Sequence, residues 1–142
     1  MNKRLRAWIW AVTTFLSLTG CASAPATLAG PGTAEIAEGY YNALLNRDWP
    51  AAYAALHPDS RASCDQAQFT RLAEHYWQSL GFEPQEVYLR SYDENGDQAV
   101  AHVTITGRRG NRVSYKDGVT LRRGPEGWGI VLSSKFGRSK GA

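Results

Sequence analysis

Apolar residues recur at every third or fourth position through the first half of this chain and at every second position through the rest. The first period belongs to helices that bury one face, the second to half-buried strands. Ile36, Tyr40, Ala43 and Leu44 keep helical spacing behind Thr33, a suitable N-cap with Glu35 in the first turn, and this predicts helix one, ending near Asn46. Asp48 can cap a short second helix that tolerates Pro50 in its first turn and packs through Trp49, Ala52, Tyr53 and Leu56, with His57-Pro58-Asp59 as its stop. Ser63 and Gln66 have the form of a capping box, after which Phe69, Leu72, Ala73, Tyr76 and Leu80 make one apolar stripe ending at Gly81.

Beyond Gly81 the alternation takes over. Val87 to Tyr92 is rich in β-formers and runs into the turn Asp93-Glu94-Asn95-Gly96-Asp97. Ala99, Ala101, Val103 and Ile105 then share one face, opposite Val100, His102, Thr104 and Thr106. Arg108-Arg109-Gly110-Asn111 turns the chain, and Val113, Tyr115, Val119 and Leu121 share a face opposite Ser114, Lys116, Thr120 and Arg122. Gly124-Pro125-Glu126-Gly127 turns it again before a last strand from Trp128 to Ser133. The expected fold class is α+β: three N-terminal helices, then an antiparallel meander of four strands.

The N-terminus changes the picture. Lys3, Arg4 and Arg6 precede a mostly apolar run from Ala7 to Leu18, which is too short for a membrane-spanning helix. Leu18-Thr19-Gly20-Cys21 closes it and resembles the lipobox of a bacterial lipoprotein signal peptide. The resemblance implies cleavage between Gly20 and Cys21, a diacylglyceryl group on the Cys21 sulfur, and an acylated new amino terminus; an ordinary secretory signal is the alternative. Two or three acyl chains anchor stably where one does not. Ala22 after the cysteine favours the outer membrane of a Gram-negative bacterium, with the domain facing the periplasm. Ala22 to Gly32, uncharged and small, reads as a tether reaching at most about 40 Å. The expected organisation is a signal at 1–20, lipidated cysteine and tether at 21–32, one domain at 33–137 and a basic tail at 138–142.

Charge and cysteine content narrow the function classes. The whole chain carries 16 Lys and Arg against 13 Asp and Glu, and loss of Lys3, Arg4 and Arg6 leaves 13 of each. Net charge is therefore no argument for nucleic acid, and at an outer membrane no nucleic-acid partner is expected. The charges are unevenly placed, −7 over Cys21 to Gly107 and +7 over Arg108 to Ala142. Once Cys21 is lipidated only Cys64 remains, so no intramolecular disulfide is expected, and Cys64 reads as a small core residue near a helix start. No Cys or His cluster has metal-ligand spacing, and neither metal nor cofactor is expected.

Tyr40-Tyr41-Asn42-Ala43-Leu44-Leu45-Asn46-Arg47-Asp48-Trp49, followed by Ala51-Ala52-Tyr53-Ala54-Ala55-Leu56, resembles the opening of nuclear transport factor 2-like domains. The segments Asp97 to Ala101 and Gly124 to Trp128 are similar to that superfamily too, and small bacterial lipoproteins with one such domain are the nearest group. The resemblance spans Thr33 to about Leu132. It implies a cone in which a curved antiparallel sheet wraps the helices around a pocket, and pairing of such domains through their sheets. It does not imply one activity, since the superfamily holds isomerases, dehydratases, adaptors and binding modules. The resemblance to its steroid isomerases would put Tyr40 near the place of their stabilising tyrosine, but the second and fourth strands lack interior carboxylates, so that pattern fails.

The chemistry left to weigh is sparse. Asp117 falls on the apolar face between Tyr115 and Val119; an inward carboxylate there would suit a general base. The expectation favoured here is a β-bulge at Asp117-Gly118 that resets the alternation and turns the carboxylate to water. Tyr41, Tyr53, Tyr76 and Trp77, with Asp117, are the candidate pocket residues, because aromatic rings with a few hydroxyls line small-ligand sites. His57, His75 and His102 read as ordinary structure. Arg108, Arg109, Arg112, Lys116 and Arg122 are the candidate contact surface, for anionic headgroups or an acidic envelope protein, against the plainer reading of a solvated strand face. The expected function is a non-catalytic binding or assembly module on a lipid anchor. The alternatives are a carrier or sensor of a small apolar ligand and, last, an enzyme using Asp117 with a tyrosine.

Overall fold

The computed structural model describes residues 32–138. The signal, the lipobox with Cys21 and most of the tether lie outside the described residues, as does the tail from Ser139 to Ala142. Within them the order is α1 (Thr33–Leu45), α2 (Trp49–Ala54), α3 (Pro58–Ser63), α4 (Gln66–Ser79), β1 (Glu83–Asn95), β2 (Gln98–Arg109), β3 (Asn111–Gly124) and β4 (Gly127–Val131). The four strands form one antiparallel sheet in sequence order, so the α+β meander expected from the pattern is present. Among the described residues no helix is long and apolar enough to cross a membrane.

The helix starts differ from expectation in instructive ways. Thr33 is the first helical residue and Gly32 the N-cap, whose N–H donates to Glu35. The Thr33 side chain is buried and its hydroxyl bonds Glu94, so tertiary contact, not capping, uses it. Asp48 caps α2 as expected, accepting from the Ala51 N–H at 3.1 Å. His57-Pro58-Asp59 ends α2 but also begins α3: His57 Nδ1 accepts from Asp59 N–H at 3.3 Å, and Pro58 takes the first position, where its missing donor costs nothing. The cap of α4 is Asp65, accepting from Gln68 N–H at 2.7 Å, not Ser63, which closes α3 and donates to the Ser60 carbonyl. A carboxylate two residues nearer the helix is the better acceptor for its unpaired N–H groups.

The core lies between the helices and the inner sheet face. Ala99, Ala101, Val103 and Ile105 of β2, with Leu121 and Ile130, are buried against Tyr40, Tyr41, Leu44, Ala52, Leu56, Phe69 and Ala73. The outer face of β2 is exposed at Val100 and His102, yet Thr104 and Thr106 are buried, Thr104 partly through a bond from Arg90 Nε at 3.0 Å. Beside β4 the α2–α3 connection makes a short parallel bridge, Leu56 to Ile130. His57 N–H donates to the Ile130 carbonyl and Ile130 N–H to the Ala55 carbonyl. This covers the outer edge of β4.

Strand lengths set up the site. β4 pairs with β3 only over Thr120 to Gly124, leaving Asn111 to Val119 without a strand on that side. The segment Ser133 to Gly137 folds back there as a strap across α4. Phe136 stacks between Phe69 (5.8 Å, 7°) and Tyr76 (5.1 Å, 23°), and His75 Nδ1 lies 3.1 Å from the Gly137 carbonyl. Gly137 has φ +63°, and a Cβ on it would stand 2.2 Å from the Leu72 carbonyl oxygen, so no other residue lets the strap lie this close.

Candidate functional site

Between α1, α4, β3 and the strap lies a cleft of about 1320 Å³, open on one side to solvent. α1 contributes Tyr40 and Tyr41, adjacent residues whose rings meet edge to face at 5.5 Å, both buried. Tyr76 comes from the apolar stripe of α4, one turn beyond Ala73. Tyr115 and Asp117 come from the inner face of β3, and Phe136 from the strap.

Asp117 is where expectation and structure part. The β2–β3 register runs without a shift, pairing Tyr115 with Ile105, Asp117 with Val103 and Val119 with Ala101. There is no bulge at Asp117-Gly118, and the carboxylate points inward with its apolar neighbours. It is held there by the Tyr76 hydroxyl, which donates to Oδ2 at 2.5 Å, and by the Gly118 N–H, which donates to Oδ1 at 2.8 Å. A strand favours regular pairing when an inward carboxylate finds donors.

Three tyrosines share the field of this carboxylate. Burial, and then the Asp117 charge, push the hydroxyls of Tyr40, Tyr41 and Tyr76 far above the ordinary phenol range, so all three stay neutral. Tyr115 is raised by the same two causes, burial first. Tyr41 Oη is close enough to feel Asp117 strongly but makes no well-formed hydrogen bond to any described residue. A buried hydroxyl without a partner is unusual and marks a place where a ligand atom or water completes the bonding.

The other candidates are placed elsewhere. Tyr53 serves the fold: its hydroxyl donates towards the carbonyls of Arg61 (3.3 Å) and Cys64 (3.1 Å), and its ring packs on Phe69. Trp77 lies under the Arg47 guanidinium, 4.1 Å from its centroid, away from the cleft. Cys64 is buried, as a core residue should be, and burial pushes its thiol pKa up. Of the basic set, Arg108 and Arg112 face each other across β2 and β3, where Arg112 lies 3.9 Å from Glu86. Arg122 is engaged by Asp59 at 2.9 Å. Arg109 and Lys116 are exposed. Phe136, which closes the cleft, had only one sequence signal, a lone aromatic in an otherwise polar tail. Among the described residues no three His, Cys, Asp or Glu side chains gather as metal ligands.

No family model matches the sequence, and no curated protein matches it. Solved structures do match by fold. A candidate NTF2-like transpeptidase of Campylobacter jejuni aligns over 72% of this chain and 100% of its own at 16% identity, with a TM-score of 0.56. A candidate calcium/calmodulin-dependent protein kinase type II association domain of Thiobacillus denitrificans aligns over 73% and 93% at 16% identity, TM-score 0.55. A SEC-C motif containing protein of Rhodopseudomonas palustris aligns over 69% and 73% at 15% identity, TM-score 0.53. At such identities the likeness concerns the fold, which is nuclear transport factor 2-like.

Proposed function

We propose that this nuclear transport factor 2-like domain is a small-ligand binding module of the cell envelope, carried at the outer membrane on a lipidated Cys21. The observation that carries the binding reading is the cleft itself: aromatic walls, one inward carboxylate and a tyrosine hydroxyl without a partner. Apolar lining with a few convergent polar atoms is the usual composition of a small-molecule site. The lipobox supports the anchor. A scaffold whose only role was its outer surface would gain stability by filling this space.

A native mass spectrum of the mature protein, extracted gently from membranes, tests both parts. Acyl mass on a chain beginning at Cys21 is the expected anchor, and Cys21→Ala should release the protein from the membrane fraction. A retained mass of a few hundred daltons, absent from the cleft-narrowing variant Val119→Phe, is the expected ligand. A bare chain that no added solute shifts would move the function to the basic surface and its partners.

The inward Asp117 carboxylate among tyrosine hydroxyls supports one second reading, a proton-transfer enzyme with Asp117 as base and Tyr41 as the donor to developing negative charge. Deuterium incorporation from solvent into the bound molecule, lost in Asp117→Asn, distinguishes turnover from carriage.

A further inference from the structure

We infer that the cleft selects a small organic ammonium ion, a single protonated amine on an apolar body. This rests on the cleft being a ligand site and names the class of ligand. Among the described residues Asp117 is the only carboxylate lining the cleft, and no Lys, Arg or His pairs with it. Its recorded partners, the Tyr76 hydroxyl and the Gly118 N–H, are neutral. A carboxylate taken partly out of water against aromatic rings is normally matched by a positive group, yet among the described residues none pairs with Asp117, and Lys135 and Arg138, which also line the cleft, make no ion pair with it.

The surroundings fit the same charge. Tyr40, Tyr41, Tyr76, Tyr115 and Phe136 wall the cleft, and aromatic faces attract cations through their quadrupoles while offering nothing comparable to an anion. The hydroxyls of Tyr41 and Tyr76 remain neutral beside Asp117, so their lone pairs are available to N–H donors. An ammonium at this point therefore meets one charged and two neutral acceptors, which a quaternary nitrogen could not use. Lys135 on the strap and Arg138 just beyond it, both exposed at the cleft's rim, oppose a second positive charge. That disfavours polyamines and leaves a monocation, or an amine whose far end is polar or anionic.

The test is a calorimetric and NMR titration of the full mature chain with three probes of similar shape: 2-phenylethylamine, 2-phenylethanol and 3-phenylpropionate. The amine should bind at least about tenfold tighter than either analogue, the scale of a charge-assisted hydrogen bond over a neutral one. Asp117→Asn should erase that preference, with the dispersed amide spectrum showing that the variant is folded. Tighter binding of the alcohol or the acid would overturn the cation inference and leave the cleft a ligand site. So would an amine preference that survives Asp117→Asn. Failure of all three probes to bind or shift any cleft resonance would remove the ligand reading as well.

Discussion

Replacing Gly137 by Ala probes how the strap closes the cleft. The new Cβ would stand 2.2, 2.7 and 2.8 Å from the O, C and Cα of Leu72, all backbone in the middle of α4, which cannot yield as a side-chain tip would. The φ of +63° adds the left-handed strain of any L residue, about 1–2 kcal/mol. The chain has a cheaper route, which is to lift the strap. That removes the Phe136 ring from Phe69 and Tyr76, at about 1.5–3 kcal/mol for burial and roughly 0.5–1.5 kcal/mol for the aromatic pairs. Lifting also relieves the strain, so the two costs are alternatives and not a sum. Since Phe136 is only partly buried, about 2–4 kcal/mol bounds the loss.

Gly110 provides the control. Its φ is +77° and nothing lies within 4 Å of its would-be Cβ, so Gly110→Ala carries strain alone, about 1–2 kcal/mol. Urea unfolding of both variants measures the difference, and hydrogen exchange locates it. Amides from Ser133 to Arg138 should lose protection in Gly137→Ala while β2 keeps its own. Equal urea midpoints for the two variants, or unchanged ring-current shifts at Tyr76, would refute the docked strap.

Three further outcomes follow from the site and its supports. Tyr40, Tyr41 and Tyr76 have raised folded-state pKa values, so they stay neutral while unfolded-chain tyrosines ionise near pH 10. Stability is thus full below about pH 10 and falls as pH rises further, and absorbance at 295 nm should show these three ionising only with unfolding. Tyr53→Phe should cost about 1 kcal/mol in urea unfolding, from its lost carbonyl bonds, and leave amine binding unchanged, whereas Tyr41→Phe should weaken binding with little loss of stability. Asp65→Ala should destabilise by about 1 kcal/mol as the loss of an N-cap, measured by thermal unfolding; no effect would return the cap to Ser63.

Helix and strand identities were legible because the change of period from 3.6 to 2 at Gly81 is a property of side-chain spacing alone. The inward set Ala99, Ala101, Val103 and Ile105 followed from strict alternation, and all four are buried. Capping was less legible. Ser63, Asp65 and Thr33 all have side chains able to cap, and which one does depends on where the preceding segment leaves the chain. His57 shows the same limit, since a Pro that ends one helix is also a good first residue for another.

The cleft depended on contacts distant in sequence. Asp-Gly in a strand is locally compatible with a bulge or with regular pairing, and Tyr76, 41 residues away, supplies the donor that makes an inward Asp117 tolerable. Likewise, whether Tyr53 or Tyr41 faces the space is decided by which carbonyls lie in reach: Tyr53 finds two, and Tyr41 finds none. The sequence by itself determined element types, strand faces and turns, because these follow from periodicity and from residues with restricted backbone angles. Only the tertiary structure decided that an aspartate faces three tyrosines under a strap closed by Phe136, because a half-buried carboxylate goes where its hydrogen-bond donors are, and the tyrosines come from other elements of the chain.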